Sequence, residues 1–416
     1  MKNNFNEISG CEVCGSKDLK SVLDLGLHPM CDDLVKIGDE RVCNEYPIEI
    51  LYCDTCITAH QRFQVPKEDL FPSTYHYRSR FTADVLNGMK SLVSSCEDRF
   101  GSLAGKKVLD VGCNDGSLLD FFKEKGSYTI GLEPTDAYLD AEEKNHKVYN
   151  DYLTVDAAYK ILNEQGKFDF ISFTNVFAHI EDLNAVLDSL KILITNKTVI
   201  IIENHYLGAV LDGNQFDTFY HEHPRTYSYN SFVHIAKKLD FDPLEVEFPS
   251  RYGGNIRVFL GDYQIHGQQM NNDLDKLNLR EKSFFEKFSR LKENIVNWQL
   301  SKKVILNNLI KDEGPLNAKA FPGRAAILVK MLGLNSNMIS KVYEKPGSLK
   351  IGFYLPGTRI PIKSDEELFN SGDTSKPIIN LAWHISTEIN DYFKQNGYRG
   401  KIIDILERDD FNNKNS

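Results

Sequence analysis

The sequence predicts an α/β protein, with two successive units of alternating strand and helix behind a small cysteine-bearing module. Three observations predict it. Apolar runs alternate with amphipathic stretches from about residue 73 to 262, a second alternation runs from about 313 to 416, and two Cys-x-x-Cys pairs precede both. Strand and helix in turn imply parallel strands covered by helices on both faces.

Taken in order, residues 1–72 are short of helical periodicity and end near Phe71-Pro72. Cys11/Cys14 and Cys53/Cys56 form two knuckles that can present four thiolates to one tetrahedral zinc. With all four positions filled by cysteine no open site is left, so the zinc is expected to be structural. The gap between the pairs is long for a compact ribbon.

Residues 73–262 carry five apolar strands, at Lys107–Val111, Tyr128–Leu132, Lys147–Tyr149, Phe168–Thr174 and Thr198–Asn204. Residues 263–312 are polar with a helical period through Leu277, Phe284, Phe285, Phe288, Leu291, Ile295 and Trp298, which predicts a connecting helix. Residues 313–416 hold strands at Ala318–Phe321, Ile339–Tyr343, Pro377–Ala382 and Lys401–Leu406, and form a smaller Rossmann-like unit.

Bulk composition narrows the partners. With 41% hydrophobic residues over 416, a core of ordinary size can be buried. A net charge of -10 argues against nucleic acid, whose phosphates need clustered Lys and Arg. No apolar run is long enough to span a bilayer, and the N-terminal stretch lacks the apolar core of a secretion signal. A cytoplasmic enzyme that acts on a small molecule as a monomer is the expectation.

The most informative stretch is VLDVGCNDGSLLDFF, Val108–Phe122. A strand ends at Asp110, a turn holding Gly112, Asn114, Asp115 and Gly116 follows, and a helix begins at Ser117. The glycines let backbone approach a ligand at the carboxyl end of a strand. A dinucleotide fingerprint would read Gly-x-Gly-x-x-Gly, and this loop does not. Asp110 and Asp115 would repel a pyrophosphate but suit the amino group and sulfonium of S-adenosylmethionine. Glu133, ending the next strand, suits a ribose diol, and Asn150-Asp151 is placed to hold an adenine amino group. The central unit is therefore expected to be a class I S-adenosylmethionine methyltransferase fold.

Two histidine motifs follow strand ends: NVFAHIEDL from Asn175, which contains His179, and YHEHPRTYS from Tyr220. Tyr220, Glu222 and His223 put a phenol, an orienting carboxylate and an imidazole within four residues, the equipment of general-base chemistry near neutrality. Methylation of carbon requires a carbanion equivalent, hence a base and something to hold an oxyanion; O- or N-methylation of a small metabolite needs less of this cluster. A non-catalytic S-adenosylmethionine-binding module is the remaining alternative.

Together these motifs resemble the bacterial nucleotide-sugar C-methyltransferases, typified by the sugar C-3 methyltransferases of deoxysugar antibiotic pathways. The likeness runs nearly end to end: the Cys pairs, DVGCNDGSLL, GLEP, NVFAHIEDL, GNQFDTFYHEH from Gly213, RYGGNIRVF from Arg251, FYLPGTRIPI from Phe353 and LAWHISTEI from Leu381. The resemblance implies a TDP-linked 4-keto-sugar substrate, methylated at C3 through an enolate. It implies His223 as base, with Tyr220 and Glu222 beside it, and His179 holding the ketone or enolate oxygen. It implies that Tyr75 and Tyr77 cover the cofactor and reacting carbon, Asn175 belongs to the cofactor site, and His221 and Arg257 reach the substrate. The chain departs from the family at Phe321-Pro322-Gly323-Arg324, where an Ala-rich loop ending Lys-Gly is usual, and at Glu344, where Asp is usual. Arg324 is a candidate phosphate ligand there.

Overall fold

A computed structural model describes residues 5–70, 78–81, 83–267, 274–372 and 374–411. Tyr75 and Tyr77 lie outside the described residues. The strands are β1 (Asn6–Glu7), β2 (Lys20–Pro29), β3 (Val35–Lys36), β4 (Glu45–Cys53), β5 (Thr58–Gln61), β6 (Phe63–Gln64), β7 (Lys107–Val111), β8 (Tyr128–Leu132), β9 (Lys147–Tyr149) and β10 (Phe170–Thr174). They continue with β11 (Val199–His205), β12 (Arg225–Thr226), β13 (Asp242–Glu247), β14 (Asn255–Gly261), β15 (Leu316–Lys319), β16 (Ile339–Glu344), β17 (Phe353–Tyr354), β18 (Ile362–Ser364), β19 (Ile378–Asn380) and β20 (Ile402–Asp404).

The chain divides into two compact units: residues 1–21, 51–210 and 222–285 in one, and 22–50, 211–221 and 286–416 in the other. The division differs from one drawn along the sequence at 72, 262 and 312. It falls inside β2 and β4, so the long stretch between the two cysteine pairs belongs with the C-terminal residues. There β3 pairs with β17, and Arg359 donates to the carbonyls of Asp39, Glu40 and Arg41. The gap is therefore built structure: β2 and β4 pair in a four-stranded sheet, and β4 ends in Cys53 itself.

In the first unit a seven-stranded sheet is ordered β13-β14-β11-β10-β7-β8-β9. Neighbours from β11 through β9 run parallel, while β14 lies antiparallel to both β11 and β13. The five strands read from the sequence are present nearly to the residue. The β13–β14 hairpin adds an antiparallel edge that a search for strand–helix alternation passes over. Helix Ala83–Phe100 buries Val85, Met89, Leu92 and Val93 against Val108, Phe170, Val199 and Ile201, forming the core of one face. Because β7 is central and the order turns back there, the crevice beyond the carboxyl ends of β7 and β10 is the ligand-binding position of such sheets.

In the second unit β18-β16-β15-β19-β20 form an all-parallel sheet, with a core that includes Tyr343, Leu368, Ile378, Ile389 and Phe393. The predicted connecting helix is present as Leu274–Lys282 followed by Phe284–Glu313. Its periodic residues Leu277, Phe284, Phe288, Leu291, Ile295 and Trp298 are buried, which is the period's physical meaning. Among the described residues, no helix is long and apolar enough to cross a membrane.

Candidate active site

The turn after β7 is built for close approach. Gly112, Asn114 and Gly116 all hold positive φ, at 72°, 50° and 72°. A Cβ on Gly112 would fall 2.5 Å from Val176 Cγ2, and one on Gly116 would fall 2.9 Å from Ala141 Cβ, so both positions require glycine on two counts. Asp110, at the end of β7, is buried and accepts from Ser172 Oγ at 2.7 Å. Burial, with the Glu133 charge nearby, pushes its carboxyl up to about 7 despite that hydrogen bond. Asp115 is fully buried and accepts from the Ser117 backbone and hydroxyl and from the Arg80 backbone.

Glu133, just past β8, accepts from the Asn114 backbone at 2.9 Å and from the Thr135 hydroxyl at 2.6 Å and backbone at 3.0 Å. A carboxylate has about four acceptor positions, so room remains for a ligand hydroxyl. Asn150 Nδ2 donates to the Glu133 carbonyl at 2.9 Å, tying the ends of β8 and β9 together, while Asp151 is exposed. The buried acids, the glycine turn and the parallel strand ends fit S-adenosylmethionine, whose amino and sulfonium groups are cationic.

After β10, Asn175 adopts φ 55° and its N–H donates to the Glu203 carbonyl at 2.8 Å. His179 is placed by the short turn Phe177–His179, and its Nδ1 lies 2.7 Å from the Glu222 carbonyl. A carbonyl only accepts, so in the neutral ring the proton sits on Nδ1. Burial lowers this imidazole to about 4. The His223 ring is buried, 4.8 Å from the His179 ring and 5.3 Å from the His205 ring. His205 ends β11 and was missed by sequence reasoning. Its one signal is position, since it follows the run VIIIEN at a strand's carboxyl end.

The other candidates are placed differently. Arg257 does not face an open site. Its guanidinium is 1% exposed and bonds Glu203 through Nε at 2.7 Å and Glu247 through Nη1 at 2.6 Å. Glu203 also accepts from Asn255 Nδ2 at 3.0 Å, and Asn255 donates to Asn175 Oδ1 at 3.3 Å. Arg257 therefore braces the strand ends that carry Asn175, and substrate contact is corrected to support. In the second unit, Arg324 forks onto Asp217, Nε at 2.8 Å and Nη2 at 2.6 Å, so the bidentate face expected for phosphate is already filled by a carboxylate. His221 is buried there with Nε2 3.1 Å from the Tyr46 carbonyl. Tyr220 falls in that unit, and Glu222 and His223 in the first.

The sulfurs of Cys11, Cys14, Cys53 and Cys56 lie within 4.8 Å of one another, and Cys14 N–H points at Cys11 Sγ at 3.4 Å. Tetrahedral zinc, with bonds of about 2.3 Å, separates its sulfurs by roughly 3.8 Å, which these positions satisfy. All four are free thiols in the first unit. They make a closed, structural zinc site.

Similarity to known proteins agrees with this geometry. Residues 11–71 match a family model described as a putative zinc binding domain, residues 83–246 a methyltransferase domain, and residues 250–403 a C-methyltransferase C-terminal domain. Over 412 residues, 96% of both chains, the protein is 25% identical to the C-methyltransferase NovU of Streptomyces niveus. A ubiquinone biosynthesis O-methyltransferase of Acinetobacter baumannii is 28% identical over 104 residues, which is 24% of this chain and 43% of that protein. Among solved structures, magnesium protoporphyrin IX methyltransferase from Synechocystis PCC 6803, with bound SAH, aligns at 17% identity and TM-score 0.35, covering 42% of this chain and 83% of its own. Fold and glycine turn define an S-adenosylmethionine-dependent methyltransferase of class I. More particularly, the three domain matches in this order and the 25% identity over 96% of both chains make the chain similar from end to end to a zinc-module C-methyltransferase.

Proposed function

We propose that this enzyme methylates carbon 3 of a nucleotide-linked 4-keto-deoxysugar. The observation that carries the reading is the triple imidazole cluster, His179, His223 and His205, at the carboxyl ends of β10 and β11. Carbon alpha to a ketone becomes nucleophilic only when its proton is removed, and His223 is the base. His179 is held by the Glu222 carbonyl and kept neutral by burial, which orients the cluster rather than charging it. Because its Nδ1 proton is committed to that carbonyl, the hydrogen bond to the substrate's ketone oxygen is supplied by His205, and His179 packs beside the oxygen. Glu222 keeps the orienting role its motif implies.

Asp110, Gly112, Asn114, Asp115, Gly116, Glu133, Asp151 and Asn175 line the cofactor's place, and Tyr75 and Tyr77 are proposed to close over it. S-adenosylmethionine, when bound, supplies an electrophilic methyl group. The product is a branched sugar.

The test separates base from transfer. In deuterated water a 4-keto nucleotide sugar should exchange its C3 proton in the presence of enzyme, and labelled S-adenosylmethionine should place label on carbon. His223→Ala should lower both by about 10²–10⁴-fold, the usual worth of a general base. Full exchange in that variant removes the base assignment; label on oxygen removes the reaction.

A further inference from the structure

In the second unit, helix Phe284–Glu313 buries Leu291, Ile295, Trp298 and Leu306 along one face. Trp298 Nε1 donates to the Ile405 carbonyl at 2.9 Å, which fixes that face inward. The outward face of such a helix is ordinarily polar. This one is not. Val296, Leu300 and Val304, each four residues from the next, are 54%, 64% and 60% exposed. Residues four apart share a helix face, so the three form a stripe and are not scattered surface positions.

A groove of about 380 Å³ continues the stripe sideways, lined by Leu23, Leu25, Leu27, Ile295, Val296 and Met331. Leu27 is itself exposed and lies on β2, the edge strand of its sheet. Charges of opposite sign bracket the stripe: Glu293 stands three residues before Val296, and Lys303 three after Leu300. Both are exposed, and neither is engaged in an ion pair among the described residues. Positions 293, 296, 300 and 303 are spaced three, four and three, the spacing of a coiled-coil seam. Acid, valine, leucine and base in that order are their own complement when the helix is turned end for end. In an antiparallel pair centred between Val296 and Leu300, each Val296 lies level with the other copy's Leu300. Each Glu293 then lies level with the other copy's Lys303, and a two-fold contact requires self-complementarity of this kind.

We propose that this face binds a second copy of the chain, helix against antiparallel helix. Val296 and Leu300 form the centre, and two Glu293–Lys303 pairs close the ends. An anionic membrane is a poorer occupant, because the rim carries both signs and the chain's net charge is -10. The seam from Glu293 to Lys303 is about 15 Å long, which puts the contact at the small end of stable interfaces. The dimer is therefore in reversible equilibrium and dissociates on dilution. It replaces the monomer expected from the sequence and is independent of the substrate proposed above.

The experiment is sedimentation equilibrium of the full chain from about 1 to about 100 µM at low salt, where exposed charge pairs are least screened. Wild type should rise from the monomer mass toward twice that mass, and Leu300→Glu should stay at the monomer mass throughout. Lys303→Glu sets like charges at both ends and should weaken association at least about fivefold. Combining it with Glu293→Lys restores opposite charges and should return association to within about threefold of wild type. Unchanged circular dichroism and S-adenosylmethionine binding show that the variants are folded. Wild type that stays monomeric at the highest concentration overturns the proposal, even if another protein uses the stripe. Leu300→Glu that associates like wild type moves the contact to another face and overturns it too. Failure of the exchanged pair to restore association overturns the antiparallel pairing.

Discussion

Asp110 is the residue whose chemistry most directly reports the cofactor. Burial raises its carboxyl to about 7, well above the ordinary 3.8, so the ligand-free fold keeps a proton there through mild acid. A group raised in this way adds to stability at low pH, and that contribution is lost as pH rises through about 7. A cationic ligand favours the carboxylate and reverses the preference. S-adenosylmethionine should therefore bind more tightly as pH rises from 6 to 8, with proton release on binding, and should raise Tm more at pH 8 than at pH 6. Calorimetry in buffers of different ionisation enthalpy checks this, and Asp110→Asn should flatten the dependence. A pH-independent affinity in wild type would remove Asp110 from the cofactor's neighbourhood.

At the level of elements, the hairpin β13–β14 does more than extend the sheet. Its Arg257 is the nearer of two buried counter-ions of Glu203 on β11, Arg251 Nη1 lying 3.4 Å from the same carboxylate, and Glu203 in turn holds the strand end carrying Asn175. Breaking a buried pair from one side strands the other charge, at about 3–5 kcal/mol. Arg257→Met should lower unfolding free energy by that amount in urea titration and weaken S-adenosylmethionine binding. The double variant Arg257→Met with Glu203→Leu should recover none of the cofactor affinity, and little of the stability, because Arg251 then loses its carboxylate as well. If the single variant is as stable as wild type, the pair is not a brace.

For the whole molecule, zinc ties residues from both ends of the segment that visits the second unit. The four thiols belong to one unit while residues 22–50 between them belong to the other. Elemental analysis should find about one zinc per chain. Chelation under denaturing stress, or Cys53→Ser, should lower Tm and release the metal. Catalysis by the intact protein that is insensitive to a bound-metal swap to cobalt would agree with a closed site; strong dependence would contradict it.

Sequence alone carried the fold class, the glycine turn with Asp110 and Glu133, the zinc ligands and the histidine motifs, because each is written in local spacing: period two, period 3.6, a turn's glycines, a pair of knuckles. Tertiary structure decided the rest. Arg257 and Arg324 read as open cations until their partners, 54 and 107 positions away, came into contact with them. His205 has no motif around it and is recognised only by the ring it faces, and the pairing of β3 with β17 has no local signal in the sequence. Local propensity can be summed along the chain, but a charge's role depends on what neutralises it, and that is known only after distant segments are brought within a few ångströms.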